Sequence, residues 1–146
     1  MIVTPRIKIK KEGSAIMLSS HSDLRKYKRM LYTLKSHIKN MIEGVQQQFR
    51  YKLKICAGHF PITVKIEGQY VIISNFLGEK IPRKSKILPH VAVKIDKDMI
   101  IVQSPDLEAA GQTAANLEKA TGVGKRDRRV FQDGCYILEK PGRAFI

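Results

Sequence analysis

The sequence predicts an α+β protein of two related domains in tandem, each with small antiparallel or mixed β-sheets packed against one helix. Two observations indicate the class. Short runs of alternating apolar and polar residues, typical of strands, occur in both halves, and two longer stretches have the apolar spacing of helices. A third indicates duplication, because the order strand, turn, strand, helix occurs twice at an offset of roughly 84 residues.

The first half predicts a strand over 6–10, a turn at 12–13 and a second apolar run over 15–18. Polar residues at 20–23 then offer N-cap side chains for a long helix. Its apolar stripe runs from Leu24 to Val45, and we expect Gly44 to mark its end.

The second half predicts five strands, at 50–57, 62–67, 70–75, 91–95 and 99–102. Hairpin turns are expected at 67–69 and 96–98. Ser104 is the predicted N-cap of the second helix, with Pro105 at its first position. Small residues at 110, 111 and 114 would let this helix lie close to a sheet, and Gly122 is expected to end it in the left-handed conformation.

The charge of the chain is unusual for its size. Among 146 residues there are 27 Lys and Arg against 13 Asp and Glu, which gives a net charge of +14. Such an excess repels itself in a folded protein, so the composition predicts a polyanionic partner. No apolar window reaches the roughly 18 residues of a membrane span, and residues 1–10 lack the features of a signal peptide. We therefore expect no membrane association, and we interpret Cys56 and Cys135 as small buried hydrophobes.

Catalytic motifs are not apparent. The four histidines are scattered, and no carboxylate or cysteine lies near them at the spacing of metal ligands. The glycines at 122 and 124 before Lys125 differ from a phosphate-binding loop, because they lack its spacing and follow a helix instead of preceding one. Acidic residues at 96 and 98 fall in a turn. We expect no enzyme activity, cofactor, metal or small-molecule substrate.

Three basic segments, predicted to be loops, remain at 80–86, 125–129 and 140–143. Lysine and arginine on loops that a rigid sheet supports are well placed to contact phosphates, and arginine also stacks on bases. The candidate RNA-binding residues are Lys80, Arg83, Lys84, Lys86, Lys125, Arg126, Arg128, Arg129, Lys140 and Arg143. Asp127 is expected to orient a neighbouring arginine or cap a turn. Phe131 either stacks on a base or, as we favour, anchors the loop in the core.

Several motifs resemble one known family. The segment GQTAANLEKAT at 111–121, with RRVFQDG at 128–134 and the pair at 136–137, is similar to large-subunit ribosomal protein L6 in its archaeal and eukaryotic form. Residues 35–45, 49–55, 59–62 and 75–80 extend the resemblance over nearly the whole chain.

The resemblance implies the fold of that family, with an N-terminal domain at 1–48 and a C-terminal rRNA-binding domain at 49–146. It implies a structural constituent of the large subunit in the cytoplasmic ribosome, whose partners are large-subunit rRNA and neighbouring ribosomal proteins. Family members bind rRNA mainly through second-domain loops near the factor-binding and sarcin–ricin region. The expected contacts are therefore the loop after Thr121 and the C-terminal tail, and the stretch around Arg83 is added from its charge alone.

Two features differ from the family pattern. The first domain is expected to lack its first hairpin, so that its sheet is incomplete or shielded by RNA or a neighbouring protein. Cys135 stands where an aliphatic residue is usual. Two other functions remain open: a ribosome assembly factor or free RNA-binding regulator, and a small RNA-processing enzyme. The second would require a buried carboxylate or histidine cluster that the spacing does not show.

Overall fold

The computed structural model describes residues 7–124 and 126–144. The chain divides into two compact units, residues 1–42 and 43–146, which we describe separately. In the first unit, strands β1 (Ile7–Glu12) and β2 (Ala15–Ser20) form an antiparallel hairpin. Helix α1 (Arg25–Gln46) follows and continues into the second unit. The two strands and the helix were predicted from their periodicity, and the structure confirms them.

Gly44 does not end α1, contrary to the prediction, because the helix continues to Gln46. The structure gives a different reason for a glycine here. A Cβ atom at this position would overlap the carbonyl oxygen of Pro105 and lie 3.0 Å from the ring of Phe49. The absent side chain therefore allows the helix end to approach the backbone at Pro105, and a larger residue would force the two apart.

The second unit contains two antiparallel sheets and helix α2 (Leu107–Ala120). The larger sheet consists of β3 (Phe49–Cys56), β7 (Ala92–Asp96), β8 (Met99–Ser104), β9 (Gly134–Lys140) and β10 (Arg143–Ala144). Its strand order is β10-β9-β3-β8-β7. The smaller sheet has the order β4-β5-β6 and consists of β4 (Thr63–Glu67), β5 (Tyr70–Ser74) and β6 (Arg83–Lys86). The sequence did not predict β6, β9 or β10.

The core of the second unit lies between α2 and both sheets, since the helix contacts strands β3, β6, β8 and β9. Its fully buried apolar side chains are Leu53, Val71, Ile73, Phe76, Ile100, Val102, Ala110, Ala114, Leu117 and Cys135. The small residues of α2 permit this close packing, as predicted. A Cβ atom on Gly111 would lie 2.9 Å from the hydroxyl oxygen of Tyr51 in β3.

The ends of α2 differ from the prediction. Asp106 is the N-cap, and its carboxylate accepts a hydrogen bond from the backbone amide of Glu108 at 2.9 Å. The Ser104 hydroxyl instead donates to the His90 carbonyl at 2.9 Å and accepts from the Asp106 amide at 3.1 Å. Gly122 does not have a positive φ. Thr121 is the C-cap, and its hydroxyl joins the helix end to β9 by accepting from the amide of Cys135 at 2.9 Å.

The hairpins β1-β2 and β7-β8 have the same register. The pair Lys8↔Ser19 corresponds to Ala92↔Gln103, and Glu12↔Ala15 corresponds to Asp96↔Met99, each displaced by 84 residues in both strands. A helix follows each hairpin. A slip of one residue would move every side chain of a strand to the opposite face of its hairpin. Equal registers therefore support the repeat more strongly than a similar order of elements does.

Candidate nucleic-acid interface

Residues 126–133 form the second part of the connection from α2 to β9, and they carry the exposed Arg126, Arg128 and Arg129. We call residues 126–129 the arginine loop. Lys125, also a candidate, lies outside the described residues. Buried residues precede the arginine loop at Thr121 and Val123 and follow it at Asp133, while its three arginines are exposed. This arrangement presents guanidinium groups to a phosphate backbone without requiring the core to move.

Asp127 organises the turn of the arginine loop. Its carboxylate accepts from the backbone amide of Arg129 at 3.0 Å and from that residue's Nη2 at 2.8 Å. These hydrogen bonds from Arg129 lower the pKa of Asp127 below its ordinary value. The Asp127 carbonyl also accepts from the amides of Val130 and Phe131. The prediction that Asp127 orients a neighbouring arginine is confirmed, while the Arg128 side chain remains exposed.

Phe131 is half-buried and packs against the hydrophobic core, which confirms its predicted role as an anchor. Its ring stacks on the imidazole of His59 with 4.8 Å between centroids, and the guanidinium of Arg126 lies 4.9 Å from the centroid of Phe131. The cation and the ring attract each other through the quadrupole of the ring. Phe131 therefore connects the arginine loop with the segment that follows β3.

Asp133 fixes the base of the same segment through what we call the carboxylate clamp, formed by Asp133, Gly58 and His59. The Asp133 side chain is 1% exposed. It accepts from the backbone amides of Gly58 at 2.6 Å and His59 at 3.0 Å, and its Oδ2 lies 2.6 Å from His59 Nδ1. Burial alone would raise the pKa of Asp133, but the hydrogen bonds from His59 and Gly58 outweigh burial and lower it.

The Arg83 guanidinium forms intramolecular contacts. Its guanidinium forms a forked ion pair with Glu79, at 2.8 and 2.6 Å, and donates from Nη1 to the carbonyls of Ala120 and Gly122. It also lies 4.2 Å from the centroid of the Phe76 ring. The hydrogen bond from Arg83 lowers the pKa of Glu79, and the charge of Arg126 contributes to the same effect. Arg83 thus closes the C-terminal end of α2 near the arginine loop.

The prediction that residues 80–86 form a loop is wrong for residues 83–86, which form strand β6. The segment RKSK lacks alternating apolar residues, yet it pairs with β5 in register. Lys84 and Lys86 are exposed on this strand, and Lys80 is exposed in the preceding connection. The structure therefore separates the first basic segment into an inward arginine and outward lysines.

The third basic segment lies at the other end of β9 from the arginine loop. Lys140 ends β9, and Arg143, whose side chain lies outside the described residues, belongs to β10 and pairs with it. Lys140 lies six positions after Gly134 along the extended strand, a distance of about 20 Å. The structure therefore does not bring the tail together with the arginine loop.

The sequence reasoning missed the contributions of His59 and Asp133, which are 74 residues apart. An aspartate before a glycine is ordinary turn chemistry, and no local pattern links it to a histidine after β3. Lys65 was also missed, although the alternation of the predicted strand at 62–67 would have placed it on the outer face.

Within 7–124 and 126–144, no group of three or more His, Cys, Asp or Glu side chains is arranged to hold a metal ion. No helix in the described part of the chain has both the length and the apolar character needed to cross a bilayer. Both cysteines are free; burial raises the pKa of Cys135 to about 11, whereas Cys56 is half-buried.

The chain is similar in sequence to known proteins. The sequence pattern of the family described as ribosomal protein L6 matches residues 60–134. The large ribosomal subunit protein uL6 of Methanococcus vannielii is 48% identical over 139 residues, which cover 95% of this chain and 76% of the relative. The protein of the same name from Haloarcula marismortui is 42% identical over 139 residues, covering 95% and 78%. That from Archaeoglobus fulgidus is 51% identical over 120 residues, covering 82% of this chain and 61% of its own length.

Proposed function

The chain belongs to the ribosomal protein L6 family, which is structural and not enzymatic, and we propose that it is a constituent of the large ribosomal subunit that binds large-subunit rRNA. The observation that carries this proposal is the arginine loop, since it places exposed guanidinium groups on a segment fixed by Phe131 and the carboxylate clamp. The partners would be rRNA and neighbouring large-subunit proteins in the cytoplasmic ribosome, near the factor-binding and sarcin–ricin region that the family resemblance implies.

In this proposal the arginine loop contacts phosphates at a place where RNA helices converge. Arg128 forms a bidentate contact with phosphate oxygens, and Arg129, whose Nε and Nη2 already donate to Asp127, contacts a phosphate through Nη1. A fixed turn favours both contacts because less side-chain freedom is lost on binding. Specificity comes mainly from RNA shape, since A-form duplexes hide their base edges in a deep groove. Lys80, Lys84, Lys86 and Lys140 add further phosphate contacts, while Arg83 acts by holding the end of α2 in place.

The first test compares rRNA binding by the wild type with the double variant Arg128→Ala/Arg129→Ala over a series of salt concentrations. Each lost phosphate contact should reduce the slope of log K against log salt by roughly 0.7–0.9, so about 1.5 is expected. Lys94→Ala is the matched control, because it removes an exposed cation from the edge strand β7. Equal slopes for the double variant and the wild type would refute the assignment of the arginine loop.

The second test measures copies of the protein per large subunit after pelleting through a high-salt cushion. One copy per subunit is expected for an integral constituent. Loss during the wash, or presence in precursor particles alone, would contradict the proposal and favour an assembly factor or a free RNA-binding regulator instead.

A further inference from the structure

The small sheet β4-β5-β6 has one face in the core and one face in solvent. Side chains alternate between the faces along each strand, and cross-strand partners lie on the same face. Val71 and Ile73 of β5 are fully buried, and Ser85, the partner of Val71 on β6, is 4% exposed. The intervening residues therefore form the outer face.

Two cross-strand rows lie on this outer face, Lys65–Ile72–Lys84 and Glu67–Tyr70–Lys86. The three lysines are exposed, Tyr70 retains 45% of its surface, and Ile72 is half-buried between two lysines. Within the described part of the chain, none of these lysines forms an ion pair. The outer face thus combines three unpaired cations with one accessible aromatic ring, and Glu67 is its single acidic side chain in these rows.

The spacing of these groups follows from sheet geometry. Lys65 and Lys84 lie two strands apart, at about 10 Å, whereas Lys84 and Lys86 are two residues apart along one strand, at about 7 Å. Tyr70 is the direct partner of Lys86. A cation therefore lies beside the ring, and two others lie across the neighbouring row.

We propose that this outer face, the sheet platform (Lys65, Tyr70, Ile72, Lys84 and Lys86), binds a single-stranded segment of RNA. This inference rests on the proposed function and adds a second, different contact to it. A base stacks on the ring of Tyr70, and the phosphates on either side meet the lysines. Such stacking tolerates any sequence because every base has a π-face, and it needs an unpaired strand because bases inside an A-form duplex are not accessible to an aromatic ring.

Tryptophan fluorescence offers a direct test, because the sequence contains no tryptophan. Tyr70→Trp introduces a single reporter on the platform, and Tyr32→Trp introduces one at an exposed position of α1 as the matched control. Each variant is titrated with an unstructured oligouridylate and, separately, with an RNA duplex of equal length. We expect saturable quenching at position 70 with the single strand, little quenching with the duplex, and little at position 32 with either.

The lysines are tested in the Tyr70→Trp background. Lys65→Ala/Lys84→Ala should weaken oligouridylate binding about tenfold and reduce its salt slope by roughly 1.5, since two phosphate contacts are lost. Lys94→Ala should leave both unchanged. These residues are exposed, and equal circular dichroism spectra would exclude unfolding as the cause.

The outcomes separate this inference from the proposed function. Equal quenching at positions 70 and 32, or equal quenching at position 70 by duplex and single strand, would overturn the platform even if Arg128→Ala/Arg129→Ala abolishes rRNA binding. If position 70 is quenched as expected while the double arginine variant binds rRNA like the wild type, the sheet platform is supported and the assignment of the arginine loop is wrong. If the wild type binds no rRNA, the proposed function fails, and the inference that rests on it fails too.

Discussion

Replacing Asp133 should destabilise the second unit and release the segment after β3. In Asp133→Ala, the backbone amides of Gly58 and His59 and the His59 ring lose their common acceptor. Hydrogen bonds to a charged group contribute about 1.5–3 kcal/mol each, but Gly58 and His59 are exposed and their donors can bind water instead. We therefore expect a total loss of about 2–4 kcal/mol in the free energy of unfolding. For a unit near 100 residues this corresponds to roughly 10–20 °C in Tm.

Asp133→Asn is the informative comparison, because it keeps the shape of the side chain and removes its charge. One amide oxygen can still accept from both backbone amides, and the new NH2 group can donate to His59 Nδ1 if the ring carries its proton on Nε2. We expect a loss of about 1–2 kcal/mol, smaller than for alanine. Asp127→Ala serves as the control, because that carboxylate is exposed in the arginine loop and its loss should lower Tm by less than the loss of Asp133 does.

Chemical denaturation followed by circular dichroism measures these differences, and hydrogen exchange at Gly58 and His59 locates them. Both amides should exchange slowly in the wild type and fast in Asp133→Ala. The reasoning would be refuted by an alanine variant as stable as the wild type, or by one that is destabilised while both amides remain protected.

The same carboxylate predicts a dependence on pH. Because the folded-state pKa of Asp133 is lowered, its stabilising contribution is fully present above the unfolded-state pKa of about 3.9. This contribution decreases as pH falls through the lower folded-state value. The difference in stability between the wild type and Asp133→Asn should therefore shrink as pH falls below about 4.

Three further variants test other parts of the second unit. Arg83→Ala should lower the free energy of unfolding by about 1–3 kcal/mol, because the hydrogen bonds to the end of α2 are lost while the exposed ion pair to Glu79 contributes little. An unchanged Tm would contradict the conclusion that Arg83 stabilises the end of α2. Gly44→Ala should lower the free energy of unfolding by about 1–3 kcal/mol, because the new methyl group overlaps the backbone at Pro105 even though alanine has the better helix propensity. A higher denaturation midpoint would disprove the close approach of Pro105 to the helix. Ser85→Ala should be neutral or stabilising by about 1 kcal/mol, because its buried hydroxyl has no partner within the described residues, and a clear loss of stability would indicate that the hydroxyl is satisfied.

Periodicity was sufficient to predict the elements whose apolar residues recur at the spacing of a strand or a helix. Strands β1 to β5, β7 and β8 and both helices have such a pattern in the sequence, and the repeat could be recognised because its two copies share it. The exact ends of the helices depend on contacts made from far along the chain. In α1, Gly44 leaves room for the backbone of Pro105 to approach the helix. Thr121 ends α2, and its hydroxyl also accepts a hydrogen bond from the backbone amide of Cys135. A local pattern contains no information about such partners.

The candidate site was predictable where charge is exposed and local. The sequence indicated that Asp127 orients a neighbouring arginine or caps a turn, and the structure identifies that arginine as Arg129, two residues away. The carboxylate clamp was not predictable, because Gly58 and His59 meet Asp133 only when β3 and β9 pair. The pairing of these strands therefore determines whether the arginine loop has a fixed base.

The basic segment at 80–86 shows why charge counting alone cannot assign roles. Arg83 and Ser85 point to the inner face of β6, and Lys84 and Lys86 point to its outer face, since the residues alternate along an extended strand. Neighbouring cations therefore serve opposite purposes: Arg83 stabilises the end of α2, and the lysines leave their charge available to a partner. It follows that removing Arg83 should change stability first and RNA binding as a consequence, whereas removing Lys84 should change RNA binding at constant stability. A variant series that measures both quantities distinguishes the two roles, which the sequence presents as one cluster.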